Sequence, residues 1–210
     1  MSTRITVVVE NRASKRDVLA EHGLAVWVEH QGSRILFDTG AGRAIMPNVA
    51  ALGIPLETVD AIVLSHGHSD HTGGLLDVLK AIGRPTPVYM HPAALLPKFK
   101  KENEGSRPMN TPDVNADTLK SLGAEIRFTE KATEVADGLF VTGFVPRTDS
   151  FELPPEDFFL DEACTRPDIV EDDQSLFFRL EEDAAWAVLL GCAHAGVINT
   201  LDHIAALTGM

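Results

Sequence analysis

The chain has 210 residues, 44% of them hydrophobic, and 18 lysines and arginines against 31 aspartates and glutamates, a formal net charge of −13. That length and apolar content suit one buried core in a single domain over 1–210 and exclude global disorder. The negative balance argues against a general grip on nucleic acid phosphates, and no apolar run approaches the ~20 residues that span a bilayer.

Ile5 to Val9 is β-branched and reads as a first strand. Its apolar run is short and lacks a small-residue cleavage site, so no signal peptide is expected. Leu24 to Glu29 and Arg34 to Asp38 flank Gln31-Gly32-Ser33 as a hairpin. Ala44 to Leu52 suits a short helix with Pro47 in its first turn. The strand Ala61 to Leu64 is followed by Ser65-His66-Gly67-His68-Ser69-Asp70-His71-Thr72-Gly73-Gly74. A helix from Gly74 to Ile82 then carries Leu75, Leu76, Val78, Leu79 and Ile82 at helical spacing, and Pro87 to Met90 is a further strand. Pro97 to Pro112, rich in charge and proline, reads as a mobile loop or lid. Asp113 to Leu122 looks helical, and Glu125 to Phe128 and Gly138 to Val145 look like strands. Arg147 to Asp173 is an acidic, proline-containing loop. Gln174 to Leu180 and Ala184 to Leu190 form a second hairpin around Glu181-Glu182-Asp183. Ala195 to Leu207 closes the chain as a helix capped by Gly209. Two similar halves of strands with intervening helices fit an α/β sandwich.

The chemistry concentrates after the strand Ala61 to Leu64, where three histidines and an aspartate fall within six positions. Imidazole and carboxylate are ligands for borderline divalent metals such as zinc. Without an ion, that loop would pile up desolvation cost and like-charge repulsion. His194 has a similar placement, after the buried run Trp186 to Leu190 and before a helix. Cys192 is either a soft ligand or a small buried core thiol. Asp173 either approaches the metals or caps the following strand. Arg147 is a candidate for gripping a substrate carboxylate or phosphate through its fork, with Lys98, Lys100, Lys101 and Arg107 as helpers or as plain solvated charges. His91 reads as structural or as pocket wall, and His22, His30 and His203 as surface residues. Two cysteines make no disulfide framework, so a reducing cytoplasm is the simplest compartment.

His66-Gly67-His68-Ser69-Asp70-His71 resembles the His-x-His-x-Asp-His signature of the metallo-β-lactamase superfamily. Phe37-Asp38-Thr39-Gly40 resembles its early strand end, and Gly191-Cys192-Ala193-His194-Ala195-Gly196 a later histidine-bearing turn. Gly143-Phe144-Val145-Pro146-Arg147, Asp172-Asp173-Gln174 and Gly196-Val197-Ile198-Asn199-Thr200 resemble the branch containing the dihydropterin-linked synthase of methanopterin biosynthesis and many metal-dependent hydrolases. The resemblance implies a four-layer αββα sandwich and two metal positions. His66 and His68, with His194, belong to the first, and Asp70 and His71 to the second, with zinc, manganese or iron as the metal. Asp70 orients the attacking water, and Asp38 holds a ligand or the loop backbone. Branch members continue into a further histidine-bearing segment. The chain stops at Met210, so a C-terminally shortened fold, a weaker second metal position and an open sheet edge that favours homo-oligomers are expected.

The function expected is hydrolysis of a small ester, lactone, thioester or phosphoester by a metal-bound hydroxide. The alternatives are a transferase-like synthase acting on a dihydropterin, and a non-catalytic metal- or ligand-binding remnant. A pterin needs an aromatic slot beside an anion-binding group, which Phe144, Phe151, Phe158 and Phe159 near Arg147 would build if they are not core packing.

Overall fold

Short β-branched and aromatic runs set the strands, and glycines and prolines punctuate them. In the computed structural model, which describes residues 3–180 and 185–209, the chain opens with β1 (Arg4–Val9), β2 (Ala25–His30) and β3 (Ser33–Phe37). There follow α1 (Ile45–Leu52), β4 (Ala61–Val63), α2 (Ser69–Thr72), α3 (Leu75–Ile82) and β5 (Thr86–Met90). The middle holds β6 (Phe99–Lys101), β7 (Ser106–Pro108), α4 (Ala116–Ser121), β8 (Ala124–Phe128), β9 (Thr133–Ala136) and β10 (Leu139–Val141). The chain closes with β11 (Phe158–Phe159), β12 (Leu176–Leu180), β13 (Ala185–Leu189) and α5 (Val197–Thr208).

These elements form two compact units. The first comprises the described residues up to 64 together with 69–90 and 111–127. Its sheet has the order β1-β2-β3-β4-β5-β8. β1, β2 and β3 pair antiparallel, whereas β3–β4 and β4–β5 are parallel, so helices fill the crossovers. Gln31 and Gly32 make the hairpin turn, both with positive φ, as a two-residue turn matched to strand twist requires. β3 and β4 are nearly continuous apolar runs, and Ile35, Leu36, Phe37, Ile62 and Val63 are fully buried. α3 buries Leu75, Val78, Leu79 and Ile82, the face expected from their spacing, and ends at the left-handed Gly83. Asn115 caps α4 by accepting from the Thr118 N–H at 3.0 Å.

The second unit takes residues 65–68, 91–110 and the described residues from 128 onward. It contains the antiparallel sheet β13-β12-β10-β9 and the small sheet β11-β6-β7. α5 ends at Gly209, again left-handed. The turn expected around Glu181-Glu182-Asp183 lies outside the described residues. No helix among the described residues is long and apolar enough to cross a membrane.

Three expectations need correction. Pro97 to Pro112 is no plain loop. Phe99 and Lys101 pair with Pro108 and Ser106 across a hairpin, and Phe158 and Phe159 pair with Lys100 and Phe99. Cross-strand pairing and one buried charge order it, neither of which shows as periodicity. The strand expected over Gly138 to Val145 stops at Val141, and β9 pairs with it instead. β9 carries a single buried side chain, Val135, so its pattern was too polar to stand out. His30 is buried, not surface, and its Nδ1 lies 2.8 Å from Thr3 Oγ1.

Trp27 is wholly buried on β2, in register with Thr6 and Leu36. Trp27→Ala should lower the unfolding free energy in urea by about 3–5 kcal/mol, as large core truncations do, and a loss below about 1 kcal/mol would contradict this placement.

Candidate metal centre

The first unit positions Asp38, Asp70 and His71. Asp38 ends β3 at φ 60, a left-handed conformation that aspartate tolerates better than most residues. Its N–H donates to the Val63 carbonyl at 2.8 Å, and its Oδ2 lies 2.7 Å from His71 Nδ1. Both side chains are buried. A carboxylate in that position holds a proton on Nδ1 and leaves Nε2 as the lone-pair nitrogen. Thr39 steadies the same residue, since its N–H and Oγ1 both donate to the His71 carbonyl at 2.8 Å. Asp70 Oδ2 lies 3.4 Å from His71 Nε2 and 3.4 Å from Nε2 of His22, which is exposed.

The second unit brings His66, His68 and His194 together. Ring centroids are 4.6 Å apart for His66–His68, 4.9 Å for His66–His194 and 5.1 Å for His68–His194. His66 Nε2 is 3.1 Å from His68 Nδ1, and His66 Nδ1 is 2.9 Å from Ser65 Oγ. The Phe158 ring stands edge-on to His68 at 4.9 Å and to His194 at 5.5 Å. Cys192 joins this group: one ligand atom each from His66, Cys192 and His194 lie within 4.8 Å of one another. Cys192 is exposed, so the expected buried core thiol is corrected.

A glycine between the two loop histidines has a steric reason. A Cβ on Gly67 would lie 2.3 Å from the Ala94 carbonyl oxygen. The Gly67 N–H donates to Asp172 Oδ2 at 2.7 Å, and the Ser65 carbonyl accepts from the Gln174 N–H at 2.9 Å. Asp172 Oδ1 in turn accepts from Lys98 Nζ at 2.7 Å, and Lys98 Nζ also donates to Asp168 Oδ2 at 2.9 Å. Lys98 is 1% exposed. Burial pushes its ammonium down, but the charges and hydrogen bonds of Asp172 and Asp168 outweigh this and its pKa is raised. Lys98 is therefore an internal counter-ion, not the solvated or substrate-facing charge expected of it.

The His194 turn is held from several sides. Ala193 adopts φ 53, and the Ala195 N–H donates to Asp173 Oδ2 at 2.9 Å. Asn199 Oδ1 accepts from the Thr148 and Asp149 N–H groups at 2.8 Å each, while its Nδ2 donates to the Ala195 carbonyl at 2.9 Å. Glu152 accepts from the Ile198 and Asn199 N–H groups at the start of α5. Arg147 Nη2 donates to the carbonyls of Ile169 and His194. Nη2 thus braces the His194 turn from the backbone side, while Nε is buried with no hydrogen-bond partner among the described residues. Burial lowers the Arg147 pKa, against the charges of Asp173 and Asp168.

His91 is buried, with Nδ1 accepting from the Ala93 N–H at 3.2 Å, and burial lowers its pKa. Sequence reasoning missed Asp172, Ser65 and Asn199 as supports of the histidines. The Asp172-Asp173-Gln174 run carried a signal, and it singled out Asp173, which holds the His194 turn through the Ala195 N–H, and not Asp172, which holds the Gly67 amide. The donor set of the second unit fits a divalent metal: two imidazoles and a thiol within reach of one another, and His68 beside them. Asp173 adds a buried Oδ1 with no hydrogen-bond partner among the described residues, on the carboxyl that already holds the His194 turn.

Comparison with known proteins agrees with this picture. Residues 19–194 match the model of the metallo-beta-lactamase superfamily. The chain is 27% identical over 200 residues to the 7,8-dihydropterin-6-methyl-4-(beta-D-ribofuranosyl)-aminobenzene-5'-phosphate synthase of Methanocaldococcus jannaschii, covering 91% of this chain and 67% of the relative. It is 30% identical over 199 residues to an uncharacterised protein of the same organism, covering 95% and 73%. Among solved structures it resembles Tm1679, a metal-dependent hydrolase of the beta-lactamase superfamily, with a TM-score of 0.79, 31% identity, and 98% and 72% of the two chains covered.

Burial pushes the Asp173 carboxyl up to about 6, against the hydrogen bonds from the Ala195 and His194 N–H groups. The folded state thus holds this proton more tightly than the unfolded chain. Its stabilising contribution is complete below about pH 4 and is lost as pH rises through about 6. In metal-free protein, the stability of wild type relative to Asp173→Asn should fall by on the order of 2–3 kcal/mol between pH 4 and pH 7. Parallel urea-unfolding profiles for the two proteins across that range would contradict it.

Proposed function

The chain belongs to the metallo-beta-lactamase superfamily, and on that premise we propose that it is a metal-dependent hydrolase of a small ester, lactone, thioester or phosphoester. The observation that carries this is the convergence of His66, His68 and His194, with ring centroids 4.6–5.1 Å apart, beside the Cys192 thiol. The likeness to Tm1679 supports it. Proteins of this superfamily generally bind divalent metals, and we take zinc, manganese or iron as the candidates. A bound metal supplies a Lewis acid and a water acidic enough to react near neutral pH.

The chain's own residues do the rest. His66, His68 and His194 hold the metal in the second unit, and Asp70 and His71 offer a second ligand pair in the first. Asp38 keeps the His71 proton on Nδ1, so Nε2 presents a lone pair. Asp70 Oδ2 orients the attacking water and takes its proton. Phe158 walls two imidazole edges and keeps bulk water from them. The family match takes in residues of both units, which supports one domain over 1–210. A reducing cytoplasm suits a chain with two cysteines, too few for a disulfide framework.

A second reading is favoured by the likeness to the dihydropterin-linked synthase. Phe158 beside the histidines offers a flat ligand an aromatic wall. Among the aromatic residues expected to build a slot, Phe144 and Phe151 are exposed.

Metal-loaded protein should hydrolyse at least one member of an ester, lactone, thioester and phosphoester panel, and chelation should abolish the turnover. His68→Ala should lower kcat/KM by more than the roughly 10–100-fold that loss of a ligand's partner costs, with the fold intact by circular dichroism. Unchanged turnover by verified metal-free protein would refute the proposal. Loaded protein that leaves the whole panel intact but joins a dihydropterin to a second substrate would establish the synthase reading.

A further inference from the structure

A loop that must hold two histidines in fixed orientation needs its backbone pinned, and glycine at its centre gives no side chain for the purpose. The pin lies elsewhere. Gly67, between His66 and His68, donates its N–H to Asp172 Oδ2 at 2.7 Å. Asp172 is fully buried, and its other oxygen accepts from Lys98 Nζ at 2.7 Å. Lys98 follows Pro97 at the head of the β6–β7 hairpin, far along the chain from both. The Ala94 carbonyl packs against Gly67 on the side where a Cβ would stand.

We propose that Lys98 is a positioning residue of the histidine cluster: by neutralising Asp172 it keeps that carboxylate aligned on the Gly67 N–H, and so fixes the directions of His66 and His68. A buried carboxylate without a counter-ion takes up a proton or turns toward water, and either change weakens its grip on an amide. A buried ammonium without a carboxylate is equally costly. The lysine, the aspartate and the loop amide are therefore one unit. Asp168 provides the control. It pairs with Lys98 at 2.9 Å, and its Oδ1 accepts from the Val170 N–H at 2.8 Å, but it makes no hydrogen bond to the histidine loop among the described residues.

The pinning of the loop stands without the metal reading; its consequence for metal affinity rests on it, so the test reads both. In metal-free, isotope-labelled protein, the Gly67 amide proton should resonate far downfield, as a donor to a carboxylate does, and exchange slowly. Lys98→Met should move it upfield and speed its exchange, while Asp168→Asn should leave it in place. Zinc titration against a competing chelator should then show affinity weakened by about tenfold or more in Lys98→Met, and within about twofold of wild type in Asp168→Asn. If Lys98→Met does not fold, Asp172→Asn keeps the size and an acceptor oxygen but removes the charge, and should shift the amide in the same direction by less.

A Gly67 amide unmoved in Lys98→Met, or in Asp172→Asn where that variant stands in, overturns the inference. So does an equal affinity loss in Lys98→Met and Asp168→Asn, which would make the ion cluster merely structural. Wild type that binds no zinc, with the amide still moved by Lys98→Met, overturns the metal reading and keeps the loop pinned by Lys98.

Discussion

An ammonium buried to 1% exposure must meet negative charge where it lies, because moving it out of water costs several kcal/mol. Lys98 meets that demand with Asp168 and Asp172, and the demand shapes much of the second unit. It draws the acidic loop and the head of the β6–β7 hairpin onto one point, and passes from Asp172 to the amide between two histidines. Such a cluster contributes modestly to net stability, since desolvation offsets attraction. Its contribution is to geometry: it ties the acidic loop, the head of the hairpin and the histidine loop together.

The histidines follow the same economy of protons. His71 has its Nδ1 proton held by Asp38, leaving Nε2 as the nitrogen for a metal or a proton donor. His66 has Ser65 at Nδ1 and His68 against Nε2. The His194 turn is fixed through its backbone by Arg147, Asp173 and Asn199 together. His71 and His66 are thus each met at Nδ1 by a side chain outside the proposed ligand set, Asp38 and Ser65, and such contacts fix ligand directions before anything binds.

Much of this was legible in the amino acids. The helices at Ile45–Leu52, Leu75–Ile82 and Val197–Thr208 and the hairpin of β2 and β3 follow from apolar spacing and glycine placement, which are local signals. The six-residue histidine cluster is likewise local, and its family likeness agrees with the match over 19–194. What escaped was long-range. Lys98 lies 74 positions from Asp172, and Asp172 lies 105 from Gly67, so no window along the chain shows that they meet. Lys98 reads as one more charge in a polar loop until its burial is known. The β6–β7 hairpin escaped for a related reason, since its pairing has no periodic apolar face. Arg147 has the chemistry of an anion clamp, but no local pattern shows that its Nη2 meets the carbonyls of Ile169 and His194. Cys192 failed the other way, as a residue type usually buried that sits on an open turn.

The central claim is that His66, His68 and His194 hold a metal. Anomalous diffraction at the absorption edge of the added metal, from crystals of the full chain grown with zinc, tests it most directly. The account predicts a peak about 2.0–2.1 Å from imidazole nitrogens of all three residues. A well-ordered zinc that avoids His194, or full zinc exposure with no peak at these histidines, would contradict it.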